Sequence, residues 1–202
     1  MLKITFSSYK RSLTMRYAFL LLTMMVATQS AIYAQNLTTK DIQDLKLEDF
    51  QAPISAGASH PVFINVTTFY NFDSVVKVGD NKYTLRVKTS VDPNRKLSFF
   101  DQTRIRKDEV AHLLNHEKGH VIIGFIGANI IAKELNAKIY TADYAKEIEQ
   151  EFQRLLAIAN KMNIEYDKAT NHSTDYDKQK IWDQKLMKMF EDTCLPKQDE
   201  EK

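Results

Sequence analysis

The period of the apolar positions changes along this chain. Between residues 35 and 59 it is absent, and "QAPISAGASHP" reads as loop. Then "PVFINVTTFY", "SVVKV" and "KYTLRVKTSV" follow, rich in β-branched and aromatic residues in partial alternation, with "GDN" and "DPNRK" as turns. That pattern predicts three or four antiparallel strands between Pro61 and Phe100. Beyond Arg106 the period becomes helical: Val110, Leu113, Leu114, Val121, Ile122, Phe125, Ile126, Ile130 and Ile131 recur on one side. The helix is expected to start near Asp108 and Glu109, whose charge suits its positive end. "TADYAKEIEQEFQRLLAIANKMN" predicts a second helix with Thr141 as N-cap and Phe152, Leu155, Leu156 and Ile158 as its apolar stripe. A polar loop, "EYDKATNHSTDYD", leads to a third helix carrying Ile181, Trp182, Leu186, Met189 and Phe190. Strands followed by helices indicate an α+β domain, a small antiparallel sheet followed by three helices, and not a doubly wound sheet. No internal repeat or low-complexity block interrupts it.

Length and composition refine this picture at the ends. The 202 residues suit one domain with a real core. Residues 1–34 stand apart: Lys3, Lys10, Arg11 and Arg16 with no acid, then "YAFLLLTMMVA", then small residues before Gln35. This is the order of a secretory signal, and the apolar run is shorter than the roughly 20 residues of a membrane span. Met15 would also serve as a start and leave a more conventional leader. The expected domain is therefore 35–192, with 193–202 a disordered tail. Losing the leader turns a formal net charge of +2 into −2 and leaves no basic cluster, which argues against nucleic acid as a partner. Cys194 is the sole cysteine, so no internal disulfide can form, and no cysteine follows the leader as a lipid attachment point. A secreted or periplasmic protein, without stable membrane insertion after signal cleavage, is the expectation.

Candidate chemistry concentrates in "LLNHEKGHVIIG". Residues four apart on a helix differ by about 40° and rise about 6 Å, so His116 and His120 project together from adjacent turns. Two imidazoles so placed can meet one Zn2+ ion, a catalytic zinc typically taking three protein ligands and one open position. Glu117, beside the first histidine, would act as general base towards a water activated by the metal. This is the mechanical content of H-E-x-x-H. Gly119 would let another group approach this turn closely. His112 is about 12 Å of helix from His120, too far to share one ion, and is assigned to the helix surface or to a supporting role. Lys118, a charge between the two histidines, is expected to point outward. The third ligand comes from farther along the chain: His172, or an acid of the second helix, Glu147, Glu149 or Glu151, with Glu134 a weaker candidate.

"HEKGH", followed some fifty residues later by "YDKATNHSTDYDKQKIW", resembles a bacterial family of secreted zinc-dependent proteases catalogued as a domain of unknown function. That family reads H-E-x-G-H, then Y-D-x-x-T-x-H-G, then Q-x-x-W. Tyr166, Asp167, Thr170, His172, Gln179 and Trp182 match, while Ser173 stands where the family has glycine. The resemblance covers about Leu45 to Phe190. It implies a zincin-like domain with the H-E-x-x-H on its first long helix, and it favours His172 as third ligand over a second-helix acid. Tyr166 or Tyr176 would supply a phenol to stabilise an oxyanion, although such a ring more often packs. Asp167 or Asp175 would orient a ligand ring or form a turn, and Gln179 and Trp182 would lock the third helix over the site loop.

The function expected from these residues is an exported zinc metallopeptidase acting on peptide or protein substrates. The competing expectation is a non-catalytic domain in which zinc clamps the long helix to the loop before the third. Substrate identity, oligomeric state and the role of Cys194 stay open at this level.

Overall fold

The computed structural model describes residues 41–54 and 57–194. The predicted leader, and residues 195–202 of the predicted tail, lie outside the described residues; Thr193 and Cys194, expected in that disordered tail, are helical.

Strand β1 (Val62–Phe63) pairs antiparallel with β4 (Phe99–Phe100). Between them run β2 (Val66–Gly79) and β3 (Lys82–Pro93), joined by a two-residue turn in which Asn81 takes a left-handed φ of 49°. "TTFY" and "SVVKV", predicted as separate strands, are one continuous strand. It absorbs the intervening "NFD" through a register shift between Phe72 and Ser74. A short β5 (Ile139–Tyr140), not predicted, adds to β3 and gives a three-stranded antiparallel sheet in the order β2-β3-β5. Where β5 stops, Asn136 continues the edge. Its Oδ1 accepts from Val87 N at 2.8 Å and its Nδ2 donates to Val87 O at 2.9 Å.

Helix α1 (Val110–Ala137) is the centre of the domain. Leu85, Val87 and Thr89 alternate along β3 onto its side, and the Thr89 hydroxyl donates to Ala128 O. From His116 to Leu135 α1 is buried nearly all round, because β3, α2 (Tyr144–Thr170) and α3 (Tyr176–Cys194) each cover part of it. Two core clusters result. One gathers Ile64, Val121, Ile122, Phe125 and Ile126 with Tyr166, Trp182, Leu186 and Phe190. The other gathers Leu85, Val87, Ile131, Leu135 and Tyr140 with Ile148, Phe152 and Leu155.

Helix α2 differs from its sequence expectation in a way that matters for the site. It starts after Asp143 instead of Thr141, whose hydroxyl donates to Glu147. It also runs seven residues beyond Asn163, to Thr170, taking "EYDKAT" out of the expected loop. Polarity misled there: no glycine or proline breaks the run, and Tyr166 and Thr170 are buried on its inner side. The helix stops at Asn171, which caps it in the left-handed conformation, and His172 and Ser173 keep positive φ as well. Asp175 then opens α3, its carboxylate accepting from Lys178 N at 2.9 Å.

Candidate metal centre and cleft

Glu109, the N-cap of α1, and His112, Leu113, His116, Glu117 and His120 of its first three turns lie along one stripe, and that stripe floors a cleft of about 820 Å³. All five histidines of the chain line it: His60, His112, His116, His120 and His172. The opposite wall is the segment Pro61–Val66, and the end of α2 closes one side with Asn163, Asp167 and Asn171.

His116 and His120 meet as the spacing requires, their rings 5.1 Å apart and perpendicular. Their third companion is Asp167. The His116 Nε2 lies 3.2 Å and the His120 Nε2 3.1 Å from the same oxygen, Asp167 Oδ1. Ligand atoms of these three residues all fall within 4.8 Å of one another, and the group could hold a metal ion. Asp167 reaches them because α2 continues past residue 163, which carries its last turn over α1.

The hydrogen bonds behind the rings determine which nitrogens face inward with a lone pair. Asp183 can only accept, so the Gln179 amide nitrogen faces it, at 2.7 Å. The Gln179 oxygen therefore faces His116 Nδ1, at 2.9 Å, and that nitrogen carries the proton. Asn115 holds the other Asp183 oxygen at 2.9 Å. On the second ring His120 Nδ1 donates to Asn163 Oδ1 at 2.9 Å. With both Nδ1 protons committed, the two Nε2 atoms turn towards one carboxylate oxygen. That arrangement is stable only with positive charge among them, carried by a second proton on the rings or by a shared cation. Two neutral imidazoles and a carboxylate, each ring fixed from behind, form a donor set that fits a divalent transition ion.

Electrostatics follow the same geometry. Burial raises the Asp167 carboxyl, but the His116 and His120 rings together outweigh it and hold the group well below the usual carboxylate range. Burial lowers His120, and its contacts with Asp167 and Glu117 reverse this to a net rise. Glu117 is buried, and burial lifts its carboxyl above the ordinary value against the pull of the two rings. That is the direction which improves a carboxylate as a proton acceptor near neutral pH. One oxygen, Oε2, accepts from the backbone N–H of Ile64 at 3.1 Å, which fixes the carboxylate at the cleft wall.

Several expected roles change. His172 does not join the cluster. It stands at the rim, half exposed, stacked on His60 at 4.2 Å, with Nδ1 3.7 Å from Asp167 Oδ1. Because α2 extends through Thr170, His172 comes after the helix end and Asp167 occupies the inner position. The second-helix acids considered earlier point elsewhere. Glu147 accepts from Thr141, Glu149 from Tyr70 and Glu151 from Arg154, the nearest of them about 24 Å along α2 from Asp167. Glu134 is exposed near the far end of α1.

Tyr166 does not line the cleft. Its ring stacks on His116 at 4.7 Å, and its hydroxyl donates to His116 O at 3.1 Å and accepts from Gln179 Nε2 at 2.6 Å. Burial pushes that phenol further up from its ordinary value. It supports α1 from beneath and does not face the cleft. Tyr176 does line the cleft, stacked on His112 at 3.8 Å. His112 in turn bonds the carbonyl of Ser173. Lys118 points outward, as expected, and pairs with Asp44 at 2.6 Å.

Asn163 and Asp183 were not foreseen, and Gln179 was foreseen only as a helix lock. A signal for them existed: Asn163 and Asp167, and likewise Gln179 and Asp183, are spaced four apart, one helical face each.

Residues 50–173 match the model of a family described as bacterial protein of unknown function (DUF922). No curated protein and no solved structure matches the chain.

Proposed function

We propose that this chain, which belongs to the DUF922 family of bacterial proteins of unknown function, is an exported zinc-dependent hydrolase of peptide bonds. The observation that carries the reading is the convergence of His116, His120 and Asp167 in one cleft with Glu117.

Zinc is the ion best suited to two imidazole nitrogens and one carboxylate, whereas calcium and magnesium favour all-oxygen shells. When bound, it supplies Lewis acidity that makes a substrate carbonyl more electrophilic and water more acidic. The chain's own groups do the rest. Gln179 and Asn163 hold the rings so that Nε2 is the ligating atom on both. Ile64 N–H holds Glu117 Oε2, which leaves Oε1 to take a proton from the attacking water and return it to the departing nitrogen. The export part of the reading rests on the leader. No described helix is long and apolar enough to cross a membrane.

The reading is tested by measuring metal content and hydrolysis of a casein-type substrate together. Wild type should carry about one zinc per chain. Glu117→Gln should keep that zinc while hydrolysis falls by at least about 100-fold. Undiminished turnover in this variant removes Glu117 as the base. One observation favours a second reading, a zinc clamp without catalysis: Glu117 is buried and already tied to Ile64. In that case zinc binds, nothing is hydrolysed, and Glu117→Gln changes neither.

A further inference from the structure

His116 stands between two acceptors. Its Nε2 is 3.2 Å from Asp167 Oδ1, inside the cleft, and its Nδ1 is 2.9 Å from Gln179 Oε1, behind the ring. A neutral imidazole has one N–H to give, and a nitrogen that ligates a metal must have none. With the proton on Nε2, the ring would bond Asp167 and close that position to an ion. The anion inside the cleft therefore draws the proton to the ligating nitrogen. A group behind the ring has to hold it on Nδ1.

Gln179 does this only while its oxygen faces the ring. Turned over, the amide would offer an N–H to Nδ1 and favour the other tautomer. Three side chains touch it. The Tyr166 hydroxyl, at 2.6 Å, is able to give or to accept, and so is His116 Nδ1 through its choice of tautomer. Asp183 Oδ1, at 2.7 Å, only accepts. It is the contact that a reversed amide would turn into oxygen against oxygen. Asp183 is itself held, its other oxygen accepting from Asn115 Nδ2 at 2.9 Å. Helix pitch assembles the set: Gln179 and Asp183 are four apart on one face of α3, and Asn115 precedes His116 on α1. None of Asn115, Gln179 and Asp183 lines the cleft.

We infer that Asp183 is a positioning residue for the metal centre: by fixing the direction of the Gln179 amide it keeps the His116 proton on Nδ1 and leaves Nε2 open beside Asp167. This inference rests on the metal-binding part of the proposed function and not on hydrolysis. Asp183 acts through Gln179. Its effect is to favour a metal-ready site over a metal-free alternative in which every partner is satisfied. In that alternative His116 Nε2–H bonds Asp167, and the reversed Gln179 amide donates to Nδ1.

The test compares wild type, Asp183→Asn, and the double variant that combines Gln179→Glu with Asp183→Asn. Asparagine keeps the shape of Asp183 but presents either a donor or an acceptor, so the Gln179 amide loses its direction. A glutamate at 179 has no donor end and needs no aiming, and the double variant keeps the net charge of the pair. Zinc affinity is read by competition with a chromophoric chelator. Asp183→Asn should weaken it by about 10-fold, and the double variant should recover most of the loss. In the zinc-loaded proteins the His116 Nδ1–H signal, followed by nitrogen-edited NMR, should exchange slowly in wild type and the double variant and faster in Asp183→Asn. Metal-free Asp183→Asn should melt no lower than wild type, because its reversed network is fully bonded. Unchanged affinity in Asp183→Asn overturns the inference. So does a loss that the double variant fails to recover, or one that comes with a lower metal-free melting temperature, since either makes Asp183 a packing residue. The predicted order of zinc affinities with no hydrolysis by wild type supports the inference and overturns the hydrolase reading instead.

Discussion

His116 and His120 are each oriented by the group behind the ring. As a ligand, His116 would depend on Gln179, whose Oε1 accepts a hydrogen bond from Nδ1–H and whose amide is aimed by Asp183. Replacing Gln179 with leucine keeps the volume and removes the acceptor, so zinc affinity should fall by about 10- to 100-fold. Competition with a chromophoric chelator measures this, and unchanged affinity would show that the amide only packs. The ligand assignment is tested in the same assay. Asp167→Ala should abolish stoichiometric zinc at neutral pH, whereas His172→Ala should retain it, because His172 approaches Asp167 no closer than 3.7 Å. Zinc lost with His172 and kept without Asp167 would restore the assignment that the sequence favoured.

Helix against helix, the site depends on a close antiparallel crossing of α1 and α2. Gly119 sits against Tyr166 and Gly127 against Ala159. A Cβ at residue 119 would stand 2.3 Å from the Tyr166 hydroxyl and 2.6 Å from the ring carbon bearing it. That ring is fully buried and its hydroxyl is held by both His116 O and Gln179 Nε2, so it has nowhere to turn. Gly119→Ala should therefore destabilise the domain by about 1–3 kcal/mol, the usual cost of overpacking, even though alanine is the better helix former. Urea denaturation checks the sign: a stabilised variant would mean the crossing yields freely. The glycine of H-E-x-G-H is thus accounted for by a tyrosine 47 residues away. Spacing alone predicts a close approach at Gly119 but not by which group.

For the molecule as a whole, the cluster ties the helix at its centre to the end of α2, and α3 reaches it through Gln179. An ion bound there would stabilise the folded state over the unfolded one. At free zinc about 1,000 times its dissociation constant the gain is about 4 kcal/mol, or roughly 10 °C in Tm for a domain of this size. Removing the metal with a chelator should lower the melting temperature by that order, and zinc should restore it. A melting curve indifferent to both would leave the cluster without a bound ion in solution.

What the order of residues determined by itself is whatever depends on local spacing. The change from strand period to helix period, the turn at Asp80 and Asn81, the start of α1 and the pairing of His116 with His120 all follow from neighbours within a few positions. Asp167 is not among the third-ligand candidates that spacing offers, His172 and the second-helix acids Glu147, Glu149 and Glu151. Only the tertiary structure places Asp167, and not His172, beside the two rings. The choice depends on where α2 stops, and that is settled by the burial of Tyr166 and Thr170 against α1, beyond the reach of local polarity. The same is true of Tyr166, which packs beneath His116 instead of facing the cleft, and of Gln179, whose contact with His116 exists only once α3 lies beside α1. Spacing along one helix is fixed by its pitch, whereas contacts between helices depend on which surfaces find each other.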